Sequence, residues 1–560
     1  MDAKVNENEI IKINSKGLRG TLRESLADGL TGTISKADVQ VGKFHGFYEQ
    51  DDRDVRQARV DSFLEPDYSF MLRARLPGGV CSPEQWQAID QIGQKLGNGT
   101  VRLTTRQTFQ YHGILKADMK PLIQELDKIL IDSIGGCGDI NRNVMCNPLP
   151  QQSRVHAEVY DWARRISEHL LPSTRAYHEI WLDEEPVAGG EDAIDPLYGE
   201  TYLPRKFKTA VAIPPHNDVD VYTNDLGFVA IIENDQLIGF NVLAGGGMGT
   251  THGDKTTFPR LADELGFVGL EHVLDAAAGV LTAQRDLGNR ISRRHARLKY
   301  TVESVGVDRF RSEVEQRGGF SFEPPRKVAF DSQGDRYGWQ QGEDGRWHLT
   351  LYIENGRVAD TDKVQAISGL RAIAQIHDGD FRITPNQNLI VANVSAATKE
   401  QIDKLVREHG LSAEQRSGLR LASIACVALP TCPQAMAESE RTLPAFLDRL
   451  EPLAEQYGVK QLVLRMTGCP NGCARPFAAE VGLVGKGPGR YNLLLGGDGR
   501  GLRLNRLYRE NLTEDQIFAE LSELFARYAD EREGGEGFGD WSVRTGVVRE
   551  VRDPARDFHD

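Results

Sequence analysis

The sequence predicts a mixed α/β protein with three domains, one of them assembled from two pseudo-equivalent halves. Three observations carry this. The chain has 560 residues, too many for one ordinary core. A strand–helix–strand pattern near residue 70 returns near residue 347. Four of the seven cysteines gather between residues 426 and 473.

Residues 1–65 are polar and punctuated by glycine, and they are expected to form an extended arm suited to partner contact. The first half spans 66–136. Phe70, Leu72, Ala74 and Leu76 alternate with Arg73 and Arg75, so one strand carries an apolar and a cationic face. A helix is expected over Pro83–Leu96. A second strand is expected from Val101 to Gln110, with Arg102, Thr104, Arg106 and Thr108 pointing one way.

A mixed lobe covers 137–335. It holds an amphipathic helix over His156–Leu171 and a strand from Lys206 to Ile213, which sets Lys206 and Lys208 on one face. The second half, 336–408, repeats the first: a strand from Trp347, a helix over Lys363–Ile376, then Phe381-Arg-Ile-Thr-Pro-Asn-Gln. The pair Arg-Leu-Thr-Thr-Arg-Gln and Arg-Ile-Thr-Pro-Asn-Gln reads as a degenerate internal repeat. The last lobe, 409–560, holds the cysteine cluster.

The net charge of −14 argues against broad nucleic-acid binding but permits a basic pocket for an anion. No apolar run approaches the roughly 18–20 residues of a membrane span. The polar, acidic start has no secretory h-region, so the expected location is the cytoplasm. Seven cysteines make no disulfide scaffold.

The clustered cysteines are Cys426 and Cys432, spaced C-x5-C, and Cys469 and Cys473, spaced C-x3-C. Four thiolates suit one [4Fe–4S] cube or one zinc ion, and x5 is loose for a zinc knuckle. Buried inert thiols are the third reading. Proline after Cys432 and Cys469 suggests helix starts whose free N–H groups would face sulfur. Gly468 and Gly472 allow close backbone approach.

C-x5-C followed by Thr467-Gly-Cys-Pro-Asn-Gly-Cys resembles the sulfite and nitrite reductase hemoproteins. Matching stretches run nearly the whole chain, among them Phe44-His-Gly-Phe-Tyr-Glu-Gln-Asp-Asp-Arg-Asp, Leu72-Arg-Ala-Arg-Leu-Pro-Gly-Gly, Leu203-Pro-Arg-Lys-Phe-Lys-Thr and Val481-Gly-Leu-Val-Gly-Lys-Gly-Pro-Gly-Arg. The resemblance implies a siroheme reductase fold with ferredoxin-like halves. It implies a [4Fe–4S] cluster on Cys426, Cys432, Cys469 and Cys473, with Cys473 also the axial ligand of siroheme. It assigns sulfite contact to Arg73, Arg142, Lys206 and Lys208, and by similar placement siroheme contact to Arg102, Arg106, Asn141 and Gln387. One departure is Ala474, where glycine is expected.

The activity so implied is six-electron reduction of sulfite to sulfide in assimilatory sulfate reduction and cysteine biosynthesis. The branch most resembled works with an NADPH-oxidising flavoprotein subunit that bears FAD and FMN. No G-x-G-x-x-G follows a strand here, since Gly245-Gly-Gly-Met-Gly ends in Thr250, so the chain itself is not expected to bind NADPH. His112, His252, Cys81, Cys137 and Cys146 read as ordinary. The rival readings are a ferredoxin-dependent sulfite or nitrite reductase and a zinc-stabilised binding protein without redox activity.

Overall fold

The computed structural model describes residues 5–149, 152–185 and 194–559. Among the described residues the β-structure falls into four groups of five strands. The first is β1 (Phe47–Asp51), β2 (Tyr68–Arg73), β3 (Val80–Cys81), β4 (Val101–Leu103) and β5 (Phe109–Ile114). The second is β6 (Met145–Cys146), β7 (Thr209–Ala212), β8 (Leu226–Glu233), β9 (Gln236–Ala244) and β10 (Asp263–Gly269). The third is β11 (Gly338–Gln341), β12 (Trp347–Leu351), β13 (Arg357–Val358), β14 (Asp380–Ile383) and β15 (Leu389–Val394). The fourth is β16 (Ile424–Ala425), β17 (Leu464–Thr467), β18 (Val481–Gly487), β19 (Arg490–Leu495) and β20 (Arg506–Leu512).

The repeated segments form two sheets of matching order, β1-β2-β5-β4-β13 and β11-β12-β15-β14-β3. Each half therefore lends a short edge strand to the other: β13 pairs with β4, and β3 pairs with β14. Neither sheet is complete alone, and the exchange closes edges that would otherwise be open for pairing. The other two groups also share one order, β10-β9-β8-β7-β6 and β16-β17-β18-β19-β20. In each, three parallel strands are followed by two antiparallel ones.

The helix Pro83–Leu96 starts on a Ser82–Gln85 capping box with proline at its first position. It buries Trp86, Ile89 and Ile92. The helices of the other two expectations run Arg154–His169 and Ala366–Ile376.

Three expectations change. The strand expected over Val101–Gln110 is a hairpin, β4 and β5, joined by the turn Thr104–Gln107. There Thr104 N donates to Thr108 O at 2.8 Å and Gln107 N to Thr104 O at 3.1 Å, and Gln107 is left-handed at φ 57°. Thr108 points into the fold, its hydroxyl donating to Ala74 O at 2.7 Å. Its counterpart, Thr384–Gln387, has the same bonds at 2.9 and 3.2 Å, and Gln387 at φ 70°. The repeat is thus a repeat of hydrogen bonds.

The expected cationic face of the first strand is also shorter: β2 stops at Arg73, and Arg75 turns away to Asp132 at 2.5 Å.

The amino-terminal arm is not extended. It forms helices Glu7–Ile13, Leu22–Ala27, Lys36–Phe44 and Arg56–Asp61, and it supplies β1 to the first sheet. Buried Lys12 donates to Leu203 O at 2.7 Å and pairs with Glu9 at 2.6 Å, which pins the arm to the central lobe.

Candidate active site

The lobes and the paired halves enclose one cavity of about 720 Å³. Among the described residues, eleven lysine and arginine side chains line it, against a single carboxylate, Asp139. In a chain of net charge −14 this is a local cationic focus. Asp139 does not offset it freely, because Arg293 holds its carboxylate with two bonds of 2.8 and 3.0 Å.

Arg73, at the end of β2, and Arg142, before β6, converge on one point. Both donate to Gly136 O, at 3.3 and 3.2 Å, and Arg73 also donates to Cys137 Sγ at 3.0 Å. Lys206 and Lys208 flank Phe207, which is fully buried. Phe207 bridges Asn141 just ahead of β7, so alternation turns both ammonium groups to the cavity. The fully regular strand starts only at Thr209.

Burial, and then the nearby cations Arg205 and Arg297, pull Lys206 down to about 7. Burial, then Lys206 and Arg106, put Lys208 well below the usual lysine range. Enclosing like charges without partners costs several kcal/mol each, roughly. An anionic occupant removes that cost.

The opposite wall carries the thiols. Cys426, Cys432, Cys469 and Cys473 all line the cavity, and Cys473 is the exposed one. No helix starts after Cys432 or Cys469; the expected helix termini are replaced by turns. Turn donors reach the sulfur instead: Gly468 N lies 3.3 Å and Thr467 Oγ1 3.4 Å from Cys426 Sγ. Gly468 is required by contact, since a Cβ there would sit 2.5 Å from that of Ala428. Left-handed backbone falls at Gly472 (φ 64°) and Arg475 (φ 56°), so Ala474 needs no glycine. Burial raises Cys426, Cys432 and Cys469, Cys432 to about 12. Such thiols ionise readily only against a cationic centre.

Arg102 and Arg106 line the cavity from the first hairpin. Arg102 is held by Glu440 at 2.7 Å and Ala425 O at 3.0 Å, so it ties the hairpin to the residue before Cys426. Arg106 donates to Asn224, Asn143 O and Thr209 O, leaving Nε unpaired. Gln387 enters from the second turn with Oε1 unpaired. Asn141 does not reach the cavity: its side chain accepts from Thr209 Oγ1 at 2.8 Å and braces the strand, while Asn143 lines the wall.

Sequence reasoning missed Arg205, Arg293, Arg297 and His112, which all line the cavity. The basic run Arg293-Arg-His-Ala-Arg297 was a usable signal. Buried His112 is held neutral, with Nε2 unpartnered. Cys137 and His252, read as ordinary, also line the wall.

A polycarboxylate macrocycle beside an iron–sulfur cube fits these residues. The cations match carboxylates, and Arg106 Nε, Gln387 Oε1 and His112 Nε2 are orphaned polar atoms among residues that line the cavity. Among the described residues no three His, Cys, Asp or Glu side chains converge on a single-ion site.

Comparison with known proteins agrees with this geometry. The profile described as "Nitrite/Sulfite reductase ferredoxin-like half domain" matches residues 64–129 and 340–409. The profile "Nitrite and sulphite reductase 4Fe-4S domain" matches 161–322, the lobe that carries Lys206 and Lys208. A protein of Thiocapsa roseopersicina named "Sulfite reductase [NADPH] hemoprotein beta-component" is 62% identical over 562 residues, covering 100% of both chains. The chain belongs to the nitrite and sulfite reductase family.

A second family member of the same name, from Shewanella sp. (strain ANA-3), is 58% identical over 556 residues, 99% of this chain and 98% of that one. The solved structure of Mycobacterium tuberculosis NirA protein shares the family fold, with a TM-score of 0.79, 24% identity and 97% coverage of each chain. Among the described residues no helix is long and apolar enough to cross a membrane.

Proposed function

We propose that this chain is the hemoprotein component of an NADPH-dependent assimilatory sulfite reductase, acting in the cytoplasm with a flavoprotein partner that bears FAD and FMN. The carrying observation is a single cavity with four thiols on one wall and Arg73, Arg142, Lys206 and Lys208 on the others. Full-length identity of 58–62% to proteins of that name supports the same reading.

In this reading Cys426, Cys432, Cys469 and Cys473 would hold a [4Fe–4S] cluster, and Cys473 would also serve siroheme. Bound together, those groups supply single electrons and an iron position for sulfur. Arg102, Arg106 and the cations around them would hold the macrocycle's carboxylates, while Gln387, whose Nε2 donates to Asn355 O, offers its free Oε1 as an acceptor. Asn141 acts at one remove, through Thr209.

The remaining work falls to the substrate cations. Arg73 and Arg142 converge on Gly136 and hold sulfite oxygens by charge-assisted bonds. Arginine does not give up its proton near neutrality, so proton delivery belongs to the lysines. Lys206, drawn to about 7, can donate to a departing oxygen and regain a proton from solvent. Each oxygen leaves as water, taking two protons.

The test is a pair of assays on the isolated, flavin-free chain. It should reduce sulfite with an artificial low-potential donor and leave NADPH untouched. NADPH turnover without flavin would contradict the assignment of the donor. Sulfite inertness at full cofactor content would contradict the activity.

A further inference from the structure

Arg475 stands two residues after Cys473 and is 5% exposed. All five of its guanidinium donors are used. Nε donates to Asp220 Oδ2 at 2.5 Å, Nη1 to Thr105 O and Pro385 O at 3.1 Å each, and Nη2 to Pro385 O at 3.1 Å and Asn386 Oδ1 at 2.9 Å. Thr105 and Pro385 occupy the same place in the two repeated turns, each directly after the bonding threonine. One guanidinium therefore sits where the two halves meet and grips equivalent carbonyls of both. Asp220, 1% exposed, also pairs with Arg465 at 2.7 Å. The loop is held a second time, because Thr105 Oγ1 donates to Cys473 O at 3.0 Å.

We infer that Arg475 is the positioning residue for Cys473: it locks that thiol's loop to the two turns that present Arg106 and Gln387 to the cavity. This rests on the reading of Cys473 as the sulfur shared by cluster and siroheme. Its backbone is left-handed at φ 56°, a conformation costly for a side chain with no special task there. A planar fork with five donors has no substitute: lysine keeps the charge but offers three donors from one point. Arg475 touches neither substrate nor a cluster thiol in this arrangement, so its effect passes through the placement of Cys473.

The test uses the loaded protein and two variants, Arg475→Lys and Asp220→Asn. Iron, acid-labile sulfide and siroheme are quantified, and coupling between the centres is read by Mössbauer and electron paramagnetic resonance spectroscopy. Each variant should retain both cofactors while the coupled signature is lost or split into several populations. Turnover should fall, up to about 100-fold for a displacement near 1 Å. Arg475→Lys with wild-type content, coupling and turnover overturns the inference. If Arg475→Lys does not fold, Asp220→Asn decides, because it takes from Arg475 the carboxylate that holds its Nε; an unchanged coupled signature there overturns it too. A wild-type protein without coupled centres would instead overturn the reading of Cys473 itself, which the wild-type arm reports separately.

Discussion

The lobe of β6–β10 and the lobe of β16–β20 have the same strand order, yet they give the cavity opposite chemistry. In the first, Lys206 and Lys208 enter just before the parallel strand β7. In the second, the thiols leave just after the parallel strands: Cys426 after β16, and Cys469 and Cys473 after β17. One topology thus serves two tasks, according to which end of the strand faces the cavity. In the proposed reading the lysine wall would handle the oxyanion and its protons. The thiol wall would hold the electron-carrying centres.

If that division is right, damage to the two walls should look different. The largest effect belongs to the thiol wall. Cys432→Ser should strip the cluster, with acid-labile sulfide falling to near zero and sulfite turnover below detection. A Cys432→Ser protein with full labile sulfide would break the comparison outright.

The lysine wall should fail without losing colour. Lys208→Ala should cut sulfite turnover on the order of 10²–10³-fold, the usual cost of one preorganised charge donor, while siroheme and cluster spectra stay nearly unchanged. Neutral hydroxylamine should suffer less than sulfite. Equal losses for both substrates would move the lysine's role from charge stabilisation to proton delivery alone.

The smallest effect is a pH profile. Burial and Arg205 draw Lys206 to about 7. Its charged form favours the anion, so binding is strongest below that value and weakens as pH rises through it. Sulfite KM should therefore climb with pH, with a midpoint near about 7. Lys206→Arg keeps the charge throughout and should flatten the climb, whereas matching profiles for wild type and variant would remove Lys206 from the account.

How legible this was depended on where the signals lay. The helix Pro83–Leu96 was readable to the residue because Ser82, Pro83 and Gln85 encode its start locally. The Thr104–Gln107 turn was not, because it has neither glycine nor proline. It is built from the Thr104 side chain, whose Oγ1 accepts from Arg106 N at 3.1 Å, and a left-handed Gln107. Its twin, Thr384-Pro-Asn-Gln, did carry a turn signal in Pro385-Asn386, and comparing the copies could have exposed both hairpins.

In the site, the thiols and the Lys206–Lys208 pair stood out because their spacing is local. Arg205, Arg293 and Arg297 reach the same cavity from separate segments, and only the tertiary fold brings them together. Asn141, expected at the siroheme, spends its oxygen on Thr209, while Asn143, two residues on, lines the cavity. The polar arm was misread because its buried groups are satisfied inside the fold: Lys12 pairs with Glu9 and reaches Leu203 O, and Asp38 accepts from Thr21, Ser25 and Ser35. Composition cannot reveal such pairing.

The most direct test of the central claim, that one cavity holds an iron–sulfur cube beside siroheme, is metal and labile-sulfide analysis of the purified chain with its visible spectrum. The account predicts roughly five iron atoms and four labile sulfides per chain, with strong haem-type absorption. A colourless protein carrying one zinc ion and no labile sulfide would contradict it.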